Sequence, residues 1–89
     1  MSERKVQIVV LHPPKKCPKC MDAERVAAEI AAELEGRVEV RSISTDDPEA
    51  EKYGVVITPT VLVNDLIVAA GVVPSKGRLG QVVADELSG

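Results

Sequence analysis

Tryptophan and phenylalanine are absent from this chain of 89 residues, and Tyr53 is its one aromatic side chain. Any core it builds must be aliphatic, because the 45% of apolar residues are almost all Val, Ala, Ile and Leu. A strong charge of either sign is also missing, since 11 basic against 14 acidic residues leave a formal net charge of −3. No basic run is interleaved with aromatics, so a nucleic-acid surface is unsupported. Nothing approaches the roughly 20 apolar residues of a membrane span. The apolar run near the start, Val6 to Leu11, is interrupted by Gln7 and is too short for a secretory h-region, and no small-residue cleavage site follows it. The expectation is a cytoplasmic protein with no membrane attachment. Internal repeats, low-complexity tracts and linkers are lacking, which leaves one domain over residues 1–89, near the size where a single core is enough but not generous.

Cysteine is scarce as well, and both copies fall in KKCPKC, residues Lys15 to Cys20. In a reducing cytosol such a pair is more often catalytic or metal-binding than a structural staple. A bridge across so short a loop would remove little unfolded-chain entropy.

The surrounding pattern places this pair in a fold. Lys5 to Leu11 are largely β-branched and apolar and run into His12-Pro13-Pro14, which cannot continue a ladder, so they read as a buried strand. Met21, Ala23, Val26, Ala27, Ile30, Ala31 and Leu34 then recur at spacings of three and four, with Asp22, Glu24, Arg25, Glu29 and Glu33 between them. That predicts an amphipathic helix from about Pro18 to Glu35, closed by Gly36. Val38 to Ile43 read as a second strand. Asp47 as N-cap, Pro48 in the first turn and Gly54 past the end mark a short helix. Val61 to Val63 and Leu66 to Val73 flank Asn64-Asp65, a two-residue hairpin turn. Ser75 caps a last helix that turns Leu79, Val82, Val83 and Leu87 inward. The order β-α-β-α-β-β-α predicts an α/β fold with a four-stranded mixed central sheet and helices on both faces.

In that order Cys17 falls where the first strand has ended and the helix begins. A sulfur there meets first-turn amide N–H groups that have no intrahelical acceptor, at the positive end of the helix dipole. Lys15, Lys16 and Lys19 add screened positive charge. Both effects favour a thiolate at Cys17. Cys20 lies almost one turn further on, within reach of Cys17, and Pro18 fixes the backbone between them without costing a hydrogen bond. Cys17 is thus the expected nucleophile toward a disulfide, and Cys20 the resolving thiol. Two other readings compete: inert core cysteines, which leave the intervening proline unexplained, and a metal-binding or adaptor module that uses CxxC without redox turnover. A metal site needs about four ligands; His12 and Asp22, or a second copy of the pair, would have to complete it.

Far along the chain, ITPTV (Ile57 to Val61) opens an apolar strand with a proline. That is unexpected unless the Thr58-Pro59 bond is cis or the lost N–H is not needed. CPKC after a first strand, a helix behind it and then YGVVITPTVLV resemble the thioredoxin superfamily, over essentially the whole chain. The element order is that of its smallest members, glutaredoxins and compact archaeal and bacterial thioredoxin-like proteins. The resemblance implies a thioredoxin-like fold and a protein disulfide oxidoreductase with Cys17 and Cys20 as its catalytic dithiol. It makes Pro59 a cis-proline opposite the sulfurs, gives the Thr58 backbone an extended substrate segment to pair with, and likens Gly71 to a last-strand glycine that admits a partner closely. Its partners would be protein disulfides and a separate thioredoxin-reductase-like electron donor, with the protein acting as a monomer. No organic cofactor is implied, because no glycine-rich phosphate loop follows a strand, and no metal is assigned.

The departures are specific. Thioredoxins usually carry Trp-Cys-Gly-Pro-Cys, whereas Lys16-Cys17-Pro18-Lys19-Cys20 stands here, and Leu11 occupies the place of their buried acid. CPKC is nearer the CPYC of glutaredoxins, yet AAGVVPS lacks the paired glycines and acid that hold glutathione. Lys19 in place of an aromatic favours the thiolate.

Overall fold

Seven residues from Val6 to His12 form β1 at the centre of the molecule, and Ile8, Val9, Val10 and Leu11 within it have no exposed surface. The computed structural model describes residues 5–15, 17–34, 36–54 and 57–88. Lys16 and Glu35, the latter expected as a helix end, lie outside the described residues. From β1 the chain continues through α1 (Pro18–Glu33), β2 (Val38–Ser44), a 3₁₀ helix (Pro48–Tyr53), β3 (Thr60–Val63), β4 (Leu66–Ala70) and α2 (Lys76–Ser88). Among the described residues no helix is long and apolar enough to cross a membrane.

The sheet runs β2-β1-β3-β4. β2 lies parallel to β1, as a helical crossover requires, while β3 is antiparallel to both β1 and β4. Because β1 is buried on both sides, its alternate residues feed two separate cores. Val6, Ile8 and Val10 join Val61 and Val63 beneath Ala23, Val26, Ala27 and Ile30 of α1 and Leu79 and Val83 of α2. Val9 and Leu11 face the other way, toward Ile43, Leu62 and Ala50, with Tyr53 packed on them. Helices thus lie on both faces, but unequally: two α-helices cover one side and a single 3₁₀ helix the other.

That 3₁₀ helix sits between the expected signals. The Asp47 carboxylate accepts from the Glu49 N–H at 2.9 Å, Pro48 follows, and Gly54 closes it at φ 64. Besides the packing of Ala50 and Tyr53, the Arg41–Glu49 pair ties it to β2, with Nη2 donating to Oε1 at 2.6 Å. The hairpin turn is fixed more firmly. Asn64, at φ 56, donates its N–H to the Gln7 carbonyl at 2.7 Å and accepts from the Gln7 N–H at 3.1 Å. Its side-chain amide donates to Glu86 of α2 at 2.9 Å, so one residue ties β1, the hairpin and the last helix together.

β4 ends at Ala70, short of the expected Val73. Gly71 adopts φ 80 and turns its N–H onto the Pro59 carbonyl at 2.7 Å. A Cβ there would lie 3.1 Å from Ile57 Cγ2 in a conformation L-residues avoid, which accounts for glycine at this position.

Candidate active site

β1 delivers the chain to the site and then stops. His12 is buried, its Nδ1 lies 2.7 Å from the Pro13 carbonyl oxygen, and its own carbonyl accepts from the Thr45 N–H at 2.8 Å. Two prolines follow, and the chain turns through exposed Pro14 and Lys15 toward α1.

Cys17 is the N-cap of that helix, with extended backbone angles of φ −101 and ψ 165, and Pro18 occupies the first turn. A capping side chain ordinarily offers an oxygen to the free amides of the first turn. Here the acceptor is sulfur: the Cys20 N–H donates to Cys17 Sγ at 3.3 Å, and the two sulfurs are 2.7 Å apart as free thiols. Cys17 is half-buried, whereas Cys20 has no exposed surface.

The same contacts separate the two thiols electrostatically. The hydrogen bond from the Cys20 thiol holds Cys17 below the ordinary cysteine range, helped by the Cys20 and Lys19 backbone amides. Burial pushes the Cys20 thiol up, and its bond to Cys17 pushes it further. Lys19 therefore acts on Cys17 through its main-chain N–H, while its side chain is exposed. A depressed acid keeps its charged form to lower pH. Alkylation of the native reduced protein by iodoacetamide is therefore expected to modify one thiol, Cys17, with a half-maximal rate at lower pH than in the urea-unfolded chain. Cys20 should react only on unfolding. Coincident pH profiles in the two states would count against this tuning.

The second group of expected residues comes from β3. The Thr58-Pro59 bond is cis, Pro59 is buried and Thr58 is half-buried. Leu11 pairs with Thr60, so the start of β3 lies beside the end of β1, at the end of the sheet from which the chain enters the CPKC turn. Thr60 Oγ1 donates to the Ile57 carbonyl and the Gly71 N–H binds that of Pro59. Among the described residues no backbone hydrogen bond engages Thr58.

His12 and Asp22, weighed as metal ligands, are not brought to the sulfurs as a set. Asp22 pairs with Arg25 at 3.6 Å on the exposed side of α1, and no cluster of three or more His, Cys, Asp or Glu poised for a metal occurs among the described residues. What sequence reasoning missed is apolar exposure next to these residues along the chain. Met21, Ile57 and Val72 are each more than half exposed. Each adjoins Cys20, Thr58 or Gly71, and that adjacency was the available signal.

Comparison with known proteins gives a consistent picture. The family model described as "Thioredoxin domain" matches residues 4–84. The chain is 34% identical over 85 residues to a thioredoxin of Methanocaldococcus jannaschii, covering 93% of this chain and 98% of that one. It is 36% identical over 70 residues to a probable thioredoxin of Archaeoglobus fulgidus, covering 75% of each. Among solved structures it superposes on chloroplastic thioredoxin z with a TM-score of 0.75 at 20% identity, covering 96% of this chain and 80% of the other. A malarial protein matches with a TM-score of 0.72 at 18% identity, covering 94% and 99%.

Proposed function

This chain belongs to the thioredoxin domain family, and from that premise we propose that it exchanges two electrons with protein disulfides through the Cys17–Cys20 dithiol. The observation that carries the reading is the pair itself: two free sulfurs 2.7 Å apart at a helix N-terminus, one thiol tuned down and its neighbour tuned up.

In the proposed reaction the Cys17 thiolate attacks one sulfur of a target disulfide. The target S–S bond breaks, its other sulfur leaves as a thiolate, and Cys17 is left in a mixed disulfide. Cys20 then attacks Cys17 Sγ, the bond to the target breaks, and the electron pair leaves on the target sulfur. The target is reduced by two electrons and the protein ends with a Cys17–Cys20 disulfide, which a separate reductase returns to the dithiol. Pro18 restrains the backbone between the sulfurs, so both steps need little motion. The Thr58 main chain would receive an extended target segment by short strand addition. Pro59 and Gly71 would keep that edge open, and the exposed Met21, Ile57 and Val72 would give apolar contact without demanding a sequence. We place this chemistry in the cytoplasm, with the protein as a monomer.

The test is reduction of insulin with dithiothreitol as the terminal donor. Precipitation of the insulin B chain should accelerate in proportion to added protein. A trace indistinguishable from dithiothreitol alone, from protein with two alkylatable thiols, would remove the reading.

A further inference from the structure

Resolution asks more of Cys20 than closeness. Its thiol is fully buried and held above the ordinary range, so at neutral pH it must lose a proton as it attacks, in a place that water does not reach freely. A carboxylate that could take that proton lies one turn along α1. Glu24 stands four residues from Cys20, and side chains so spaced share one helix face with Cβ atoms about 5–6 Å apart. Helical side chains lean toward the N-terminus, which directs a glutamate at 24 back over the turn that holds Cys20.

A second element fixes the carboxylate there. Ser42 of β2 pairs with Val10 in the sheet and so shares the side of the sheet that α1 covers. Its hydroxyl donates to Glu24 Oε2 at 2.6 Å, so Glu24, half-buried, is tied across to exposed Ser42 of β2 at the rim of the α1–sheet contact. The negative charge of Glu24 is also among the influences that raise the Cys20 thiol, which places the two groups within electrostatic reach.

We propose that Glu24, oriented by Ser42, is the proton acceptor for Cys20 during resolution of the mixed disulfide. The proposal rests on the dithiol reading above. As the Cys20 sulfur bonds to Cys17 Sγ, its proton passes to the Glu24 carboxylate directly or through one water. The bond between Cys17 and the target breaks, the target sulfur departs as a thiolate, and Glu24 afterwards releases the proton to solvent. Among the described residues, other ionisable groups stand on each element packed about this corner. Cys17 lies on the same helix, and His12 continues the inward side of β1 with its Nδ1 held at the Pro13 carbonyl. On β2, Arg41 and Glu39 alternate with Ser42 and so take the other side of the sheet, where Arg41 is engaged by Glu49 and Glu39 by Gln7. On α2, Lys76 is engaged by Glu29 and Glu33, further along α1.

A stopped-flow reaction of the reduced protein with dithiobis(nitrobenzoate) separates the two steps, because attack by Cys17 releases one thionitrobenzoate and resolution by Cys20 releases the second. In Glu24→Gln the first phase should keep its wild-type rate, which also reports that the fold is intact. The second phase should slow by about tenfold or more at neutral pH, general-base contributions being typically ~10²–10⁴. The deficit should shrink as rising pH ionises Cys20 without help, and Glu24→Asp should recover part of the rate. The sign is diagnostic. Loss of the Glu24 charge alone would ease ionisation of Cys20 and quicken the second phase, so slowing reports a lost acceptor. A second phase unchanged or faster in Glu24→Gln, or one slowed equally at every pH, overturns the assignment of Glu24. Absence of a second phase from the wild-type protein would instead overturn the dithiol reading itself.

Discussion

Cys20→Ser is expected to turn the protein into a covalent trap. With insulin as the target, Cys17 still attacks, but a serine hydroxyl cannot resolve the mixed disulfide, and a one-to-one adduct should accumulate on a non-reducing gel and vanish with dithiothreitol. Cys17→Ser should give no adduct, since the remaining thiol is fully buried and held in its protonated form. Both variants should fall to the dithiothreitol background in turnover. The two outcomes together assign the order of attack, which neither gives alone. An adduct formed by Cys17→Ser at the wild-type rate would reverse the roles and undo the argument from the helix N-terminus.

Ile8→Ala carries the largest expected loss of stability. Ile8 has no exposed surface and sits in β1 between Val40 of β2 and Val63 of β3, under α1. Truncation of such a side chain costs about 2–5 kcal/mol. A domain of this size holds only ~4–13 kcal/mol in total, on the order of 0.05–0.15 kcal/mol per residue. Urea unfolding of the reduced protein should show the midpoint falling by a large fraction of its wild-type value. Ile67→Ala is the matched control, because Ile67 is 59% exposed on β4, and it should stay within about 0.5 kcal/mol of wild type. Equal costs at the two positions would mean that the aliphatic layer under α1 is not what holds the sheet.

The fold was legible where a local signal sufficed. Cys17-Pro18 at the start of α1, Asp47-Pro48 with Gly54 around the 3₁₀ helix, and Asn64-Asp65 between β3 and β4 each encode a cap or turn within a few residues. The same signals could not decide that Pro48–Tyr53 would be 3₁₀, because six residues with those caps serve either helix type. Nor could hydropathy stop β4 at Ala70, since the apolar run continues through Val73. The stop comes from a bond between Gly71 and Pro59, twelve residues apart. The site divides in the same way. The cysteines and the proline could be picked out from spacing and motif, whereas the Ser42–Glu24 bond depends on strand register and on which side of the sheet α1 covers.

The uneven cover of the sheet decides what spectroscopy of this protein can see. Tyr53 is the lone near-ultraviolet chromophore of any strength, and it packs on the thinly covered side, against the cluster that holds Val9, Leu11 and Ile43. Its fluorescence and near-ultraviolet dichroism will follow the loosening of the 3₁₀ helix from β1 and β2, while far-ultraviolet dichroism follows α1 and α2. Melting curves that superimpose at both wavelengths would mean that the two layers come apart as one cooperative unit.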